Sequence, residues 1–233
     1  GLNFIFKNYP GTEAPSEMHV YIEDYCALCP GENITQTMHN LLTPRGAKVR
    51  DPKAMAEAID DAITRFPNTK IIIGTHHWPT WNVAGEGDAN NECLKLMEKQ
   101  RDMYLFFNNQ VIHMLNSGYN MEEIANKFAL PQSLANEFYC RGYYGSLNHN
   151  AKAVAQRYIG WWDGNPANYF KYTDVEIAKR FVADMGGESA VLRKAYDYFE
   201  LKDYRWTVEL TRDRKSTRLN SSHTVISYAV FCL

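Results

Sequence analysis

The residues best suited to chemistry are two adjacent histidines and two glutamates, each just after a segment that predicts a β-strand. His76 and His77 follow residues 70–74, whose three successive isoleucines are typical of a short buried strand. Glu13 and Glu32 also follow predicted strands. Imidazole nitrogen and carboxylate oxygen bind divalent cations, and α/β folds place reactive groups at strand ends. Although each residue taken singly is better explained as a polar loop residue, their shared position predicts one metal site.

A second group of polar residues lies downstream of Glu32 and has the chemistry of an oxyanion site. Arg45 offers a planar fork of charged donors, and Asn40 and Thr43 add neutral donors. This combination suits a tetrahedral anion such as sulfate or phosphate. The alternative is that Arg45 forms an ordinary surface salt bridge.

Tyrosines, glycines and a histidine are dense between residues 141 and 150. The Tyr143 hydroxyl and the His149 imidazole can donate a proton to a leaving group, so both are candidate catalytic residues. The residues alone favour the alternative, an aromatic turn bracketed by glycines, in which an asparagine caps the next helix.

Composition and charge exclude several classes of protein. The chain has 233 residues, of which 45% are hydrophobic and 22% charged, an ordinary mix for a globular protein. Because 25 Lys and Arg stand against 27 Asp and Glu, there is no broad basic surface and nucleic acid is not an expected partner. No apolar run approaches the ~18–20 residues that span a bilayer, so we expect no membrane span.

The periodicity of apolar residues changes along the chain. Strands are predicted at 2–7, 18–22, 25–28 and 70–74, a short helix at 33–42, and a helix that begins at Asp51-Pro52. This first part is therefore α/β. Helical patterns dominate from residue 90 onward, at 91–117, 121–128, 131–138, 150–162, 173–185, 189–199 and 202–210. We place the domain boundary in the loop at 82–90, which gives an α/β domain at 1–89 and an all-α domain at 90–212.

Residues 213–223 match, residue by residue, the translation of a common short-read sequencing adapter, 224–225 correspond to its variable index, and 226–233 match its far end. We interpret them as an artefactual tail and exclude them from the fold, as one excludes tags and fusion scars.

Several longer motifs resemble those of the alkyl sulfatases, also called SDS hydrolases, of the metallo-β-lactamase superfamily. The resemblance covers essentially residues 1–210. The matching runs are 10–18 (PGTEAPSEM), 31–33 (GEN), 37–41 (TMHNL), 45–51 (RGAKVRD), 76–81 (HHWPTW), 100–102 (QRD), 141–145 (RGYYG), 160–167 (GWWDGNPA) and 203–206 (DYRW).

The resemblance implies the C-terminal part of a metallo-β-lactamase αββα fold followed by a helical dimerisation domain, and therefore a homodimer. It implies a site with two zinc ions that hydrolyses sulfate esters of long-chain alcohols. Glu13 and Glu32 match a zinc ligand and a metal-bridging carboxylate, in either order. The pair at His76 and His77 matches a histidine ligand, and we favour His76 because it is nearer the strand. The sulfate-binding residues match Asn40 and Arg45.

The principal metal motif of that family, HxHxDH, does not occur in this chain and is expected upstream of residue 1. We therefore expect the chain to be a fragment that is inactive by itself and binds zinc weakly. Two other functions stay open: a non-catalytic helical dimerisation module, and another metallo-β-lactamase-fold hydrolase such as a phosphoesterase. The compartment also stays open; for a bacterial protein, the periplasm or secretion is compatible with the sequence.

Overall fold

A computed structural model of the protein describes residues 1–82 and 91–211. The chain divides into two compact units, which we call unit one (residues 1–164) and unit two (residue 165 onward). The predicted artefactual tail at 213–233 and most of the predicted boundary loop at 82–90 lie outside the described residues. Within the described ranges, no helix is both long and apolar enough to cross a membrane.

Unit one begins with a mixed sheet of five short strands, which lie side by side in chain order. The strands are β1 Phe4–Asn8, β2 Met18–Ile22, β3 Ala27–Cys29, β4 Ile71–Ile72 and β5 Thr80–Trp81. Neighbours are antiparallel, except that β3 and β4 are parallel. A parallel pair needs a long crossover, here residues 30–70. As a result, the chain leaves β3 and β4 at the same edge of the sheet.

The second half of this crossover is helix α1, Pro52–Arg65, which begins as predicted. The Asp51 side chain accepts hydrogen bonds from the backbone N–H groups of Lys53 and Ala54, and Pro52 occupies the first helical position. Its apolar stripe, including Met55 and Ile59, is buried in the core. Capping and burial of one apolar face thus explain where the helix starts and how it packs.

The first half of the crossover, residues 30–50, has no regular helix or strand, and we call it the site loop. The helix predicted at 33–42 is therefore wrong. Most side chains in that range are nevertheless buried. Buried backbone groups need hydrogen-bond partners, and here side chains from distant helices provide them in place of a helical ladder.

The longest helix, α2 (Glu92–Asn116), contacts α1, β5 and the helices that follow it. It continues without interruption through Asn108. The Tyr158 hydroxyl donates to the Asn108 carboxamide oxygen at 2.6 Å, so this buried polar side chain is satisfied inside the helix. Unit one is completed by α3 Met121–Lys127, α4 Gln132–Ala135 and α5 Leu147–Ile159.

One continuous apolar core runs through unit one, from Leu28 of the sheet to Val154 of α5. The compact unit therefore joins residues on both sides of the predicted boundary at 82–90 and ends after Gly164. The division into domains at 1–89 and 90–212 stays a prediction.

Unit two consists, in its described part, of α6 Pro166–Tyr169, α7 Asp174–Asp184, α8 Glu188–Glu200 and α9 Tyr204–Thr211. The last three match the predicted helices at 173–185, 189–199 and 202–210. Thr173 and Glu176 form a reciprocal capping box at the start of α7. The buried apolar side chains are few: Val191, Ala195 and Leu210. The predicted order, an α/β part followed by an all-α part, is confirmed.

Candidate metal centre

Three potential metal ligands meet where the chain leaves β3 and β4. Glu32 follows β3, His76 follows β4, and His39 lies further along the site loop. The His76 Nε2 atom is 3.1 Å from Glu32 Oε1, and the His39 Nε2 atom is 3.0 Å from Glu32 Oε2. One potential ligand atom from each residue lies within 4.8 Å of the other two. The parallel β3–β4 pair is what brings Glu32 and His76 to one edge.

His39 is held in the tautomer that suits a metal ligand. Its Nδ1 atom lies 2.8 Å from the Asn40 carbonyl oxygen, which can only accept, so the ring hydrogen is on Nδ1. Burial also lowers the pKa of His39, which favours the neutral ring. Nε2 then presents a lone pair towards the Glu32 carboxylate and, despite their close approach, has no hydrogen-bond partner among the described residues.

A cation between these two groups would remove the conflict. A buried imidazole lone pair that faces a carboxylate is unfavourable unless a positive charge lies between them. Two histidines and one glutamate, with other positions left open, also form a recognised ligand set of catalytic zinc sites. The donors of Glu32, His39 and His76 therefore fit a divalent cation.

Glu13 lies beside this cluster and is tied to a buried arginine. The Arg50 guanidinium forms an ion pair with the Glu13 carboxylate and donates to the Asn40 carbonyl oxygen at 3.2 Å. Arg50 is 9% exposed, so the ion pair is shielded from water. Glu13 and Glu32 line the same cleft.

A third carboxyl, that of Glu17, completes an acidic group with Glu13 and Glu32. Glu17 Oε1 accepts a hydrogen bond from the Glu32 backbone N–H at 3.2 Å. Burial raises the pKa of Glu17 to about 7; that hydrogen bond opposes the rise, and the charge of Glu13 adds to it. Glu17 lies inside the 10–18 motif of the sequence, but only the fold shows that its carboxyl belongs to the same acidic group as those of Glu13 and Glu32.

His77 is not part of this cluster. Its Nε2 atom lies 3.1 Å from Thr37 Oγ1, and burial lowers its pKa. Of the two adjacent histidines, His76 is therefore the one whose ring contacts Glu32. The metal-binding roles predicted for Glu13, Glu32, His76 and His77 stay predictions.

The predicted oxyanion residues line a neighbouring cleft of about 400 Å³, together with His149 and Tyr144. Asn40 and Thr43 are buried, whereas Arg45 is exposed. The Thr43 hydroxyl has no hydrogen-bond partner within the described ranges. The Asn40 carboxamide oxygen accepts from Arg50, which leaves its NH2 group as a donor. Asn40, Thr43 and Arg45 thus bring three kinds of donor to one cleft.

The two predicted proton donors lie in different places. His149 lines the cleft, and its Nδ1 atom is 2.7 Å from the Ser146 hydroxyl oxygen. Tyr143 packs against Phe138 with 67% of its surface exposed and is not among the lining residues of that cleft. Its neighbour Tyr144 instead contacts the cluster, with its ring centroid 4.9 Å from those of both His39 and His76.

Two residues of the site escaped the sequence analysis although they lie inside quoted motifs. His39 belongs to the 37–41 run, and Arg50 to the 45–51 run. A signal for His39 was available. It is the only histidine between Glu32 and the start of α1, and it is next to Asn40, a predicted oxyanion residue. No feature of spacing singles out Arg50 over Arg45.

The mixed sheet, the site loop and the helices that follow resemble the alkylsulfatases, which are sulfuric ester hydrolases. A family model described as alkyl sulfatase dimerisation matches residues 120–218. The linear primary-alkylsulfatase of Pseudomonas sp. is 42% identical over 211 residues, which are 90% of this chain and 30% of that protein. The resemblance that the motifs indicated is confirmed.

Two further relatives agree with this assignment. The alkyl/aryl-sulfatase BDS1 of Saccharomyces cerevisiae is 44% identical over 90% of this chain and 32% of its own length. The solved structure of the stereoselective inverting sec-alkylsulfatase Pisa1 from Pseudomonas sp. matches with a TM-score of 0.85 and 40% identity, over 91% of this chain and 33% of that chain. The chain thus spans about a third of the length of these relatives.

Proposed function

We propose that the chain is a segment of a zinc-dependent alkyl sulfatase, which hydrolyses long-chain alkyl sulfate esters to alcohol and sulfate. The observation that carries the proposal is the convergence of Glu32, His39 and His76 beside a cleft with free oxyanion donors. The similarity to named alkylsulfatases supports the substrate class.

In this proposal Glu32, His39 and His76 would hold zinc. Glu13 would either be a further zinc ligand or lie beside the ligand Glu32 without binding the metal. The complete site holds two ions, as the family resemblance implies. Bound zinc lowers the pKa of water towards ~7 and so supplies hydroxide at neutral pH. The chain's own contribution is to keep the His39 ring hydrogen on Nδ1, through the Asn40 carbonyl, so that Nε2 is free to bind.

The sulfate group is bound by Arg45, Asn40 and Thr43. The Arg45 side chain makes no hydrogen bond or ion pair with any described residue, so its guanidinium is available to a ligand. A planar guanidinium with two neutral donors offsets the charge that develops on the sulfate oxygens as the ester breaks. Either His149 or Tyr144 at the cleft wall donates the proton to the leaving alcohol.

Dimerisation is a second proposed function, and it is compatible with the first. The family model for alkyl sulfatase dimerisation matches residues 120–218 and supports a homodimer, for which two-fold symmetry is the default. Large side chains exposed in unit two also support it, among them Phe170 at 97% and Leu201 at 73%.

The test is an activity assay on a longer protein, because the chain matches only about a third of its relatives. We would join it behind the preceding part of the Pseudomonas linear primary-alkylsulfatase and assay dodecyl sulfate and dodecyl phosphate with Zn²⁺. We expect hydrolysis of the sulfate only, and in Arg45→Ala a loss of turnover of about a hundredfold, as when an oxyanion-stabilising donor is removed.

The matched control is Arg193→Ala, which removes an exposed arginine of α8 and should leave turnover unchanged. Faster hydrolysis of the phosphate ester would favour a phosphoesterase instead. Equal turnover of Arg45→Ala and the unchanged protein would refute the oxyanion role.

A further inference from the structure

The site loop stays buried and irregular because polar side chains from the helical part of unit one bind its backbone. Four attachment points fall on alternate residues, 35, 37, 39 and 41, so they lie at His39 and on both sides of it. The side chains that make them belong to Gln100 and Tyr104 of α2 and to Asn150 of α5. All three are at most 1% exposed.

Asn150 binds the backbone on both sides of Asn40. Its carboxamide oxygen accepts from the Leu41 N–H at 2.9 Å, and its NH2 group donates to the His39 carbonyl at 2.9 Å. The sequence alone favours an asparagine near this point as a helix cap, but Ser146 caps α5 and Asn150 lies inside the helix. Asn150 therefore holds the peptide whose carbonyl, that of Asn40, fixes the His39 tautomer.

Gln100 and Tyr104 hold the preceding residues of the loop. The Gln100 carboxamide accepts from the Thr35 N–H at 3.3 Å and donates to the Thr37 carbonyl at 3.0 Å. The Tyr104 hydroxyl accepts from the His39 N–H at 3.1 Å. Together with Asn150, these groups bind both the N–H and the carbonyl of His39.

Close packing reinforces this arrangement. Met38 forms two backbone hydrogen bonds of 2.9 Å with the 141–145 segment, accepting from the Gly145 N–H and donating to the Arg141 carbonyl. A Cβ atom at Gly145 would lie 2.6 Å from the His39 carbonyl oxygen. Any side chain there would push the backbone of His39 away from Asn150.

We propose that Asn150, assisted by Gln100 and Tyr104, is a positioning residue for the metal centre: it holds the His39–Asn40 backbone so that His39 Nε2 faces Glu32. Asn150 lies within residues 120–218, so a helix of the dimerisation region shapes the metal centre. The inference rests on the proposed function, in that the centre binds a divalent cation. Groups that orient metal ligands typically change metal affinity by 10–100-fold when they are removed.

The test compares the unchanged chain with Asn150→Ala and Asn150→Asp, using Co²⁺ as a coloured probe. We expect Asn150→Ala to weaken Co²⁺ binding, followed by its visible absorption, by about tenfold or more. By ¹⁵N NMR, the metal-free variant should lose the single His39 Nδ1–H tautomer, and the Leu41 amide should exchange with solvent faster. Asn150→Asp can still accept from the Leu41 N–H, so it should keep that amide protected while it weakens Co²⁺ binding.

The control is Asn108→Ala, because Asn108 is also a buried asparagine, but among the described residues its side chain bonds only Asn109 and Tyr158. It should bind Co²⁺ like the unchanged chain. Equal Co²⁺ affinity in folded Asn150→Ala, or an equal loss in Asn108→Ala, overturns the positioning role. If the unchanged chain binds no Co²⁺, the proposed metal binding by Glu32, His39 and His76 in this chain fails. The tautomer then tests the inference separately: a fixed His39 tautomer in folded Asn150→Ala overturns it.

Discussion

Unit one buries an irregular segment, whereas unit two leaves regular helices largely exposed. The site loop has no helix or strand, yet Ile34, Met38 and Leu41 are completely buried within it. In unit two, α7 has a full capping box but no buried residue. Regular secondary structure and burial are therefore separate properties: the first follows from local capping and periodicity, and the second from what the rest of the chain packs against the segment.

The two units also differ in what is buried. Unit one shields several polar side chains, including His19, Gln100 and Asn150, each bonded to other parts of the unit. The buried apolar residues of described unit two are Val191, Ala195 and Leu210. The stability of unit one should thus respond to proton binding and to core changes, and that of unit two should respond less to both.

The largest expected contrast is in the pH dependence of stability. Burial lowers the pKa of His19 to about 4. In the unfolded chain an ordinary histidine has a pKa of about 6.5, so between these values only the unfolded state takes up the proton. The unfolding free energy of unit one should therefore fall by roughly 3 kcal/mol as the pH drops from about 6.5 to about 4.

The comparison is with His19→Gln, which keeps a neutral acceptor for Asn33 but cannot take up the proton. Urea unfolding of both proteins would be measured at the same series of pH values. All other titrating groups then contribute equally to the two proteins. The unfolding free energies should diverge in slope between about pH 4 and pH 6.5. Parallel curves would contradict the buried, neutral His19. Residues 165–211 contain no histidine, so no such slope is expected from unit two.

A smaller contrast is expected from the same substitution in each unit. Val111 of α2 is fully buried, and Val191 of α8 is 6% exposed at the edge of a small cluster. Val111→Ala should destabilise unit one by about 2–3 kcal/mol, since it removes two buried carbons and leaves a cavity in a close-packed core. Val191→Ala should destabilise unit two by only about 1 kcal/mol, because a small cluster can relax around the gap.

Urea unfolding followed on methyl NMR signals would report each unit separately. Since the two substitutions are chemically identical, the surrounding packing accounts for any difference. Equal losses of unfolding free energy would show that the two cores are equally densely packed.

Local signals were sufficient to predict the regular elements. Asp51 and Pro52 start α1 where the sequence placed it, and the isoleucines at 71 and 72 form β4. The meeting of Glu32 and His76 also followed from their place after predicted strands. Each of these features depends on residues close together in sequence, or on the general rule that neighbouring parallel strands end at the same edge.

The site loop could not be predicted in this way. Its conformation depends on Gln100 and Asn150, which are 65 and 109 residues from the backbone groups they bind. The apolar spacing at 33–42 contains no information about these distant partners. By itself it therefore indicated a helix. The same limit explains why the sequence did not single out Tyr144, rather than Tyr143, as the tyrosine that contacts the histidines.

Calorimetric titration of the chain with Zn²⁺ shows whether Glu32, His39 and His76 form one cation site. We predict binding of Zn²⁺ that weakens by about tenfold or more in Glu32→Gln, since a carboxylate ligand is lost. Glu23→Gln, the same change at an exposed position, should leave the affinity unchanged. Equal Zn²⁺ affinity in Glu32→Gln and the unchanged chain would show that these three residues do not form a cation site.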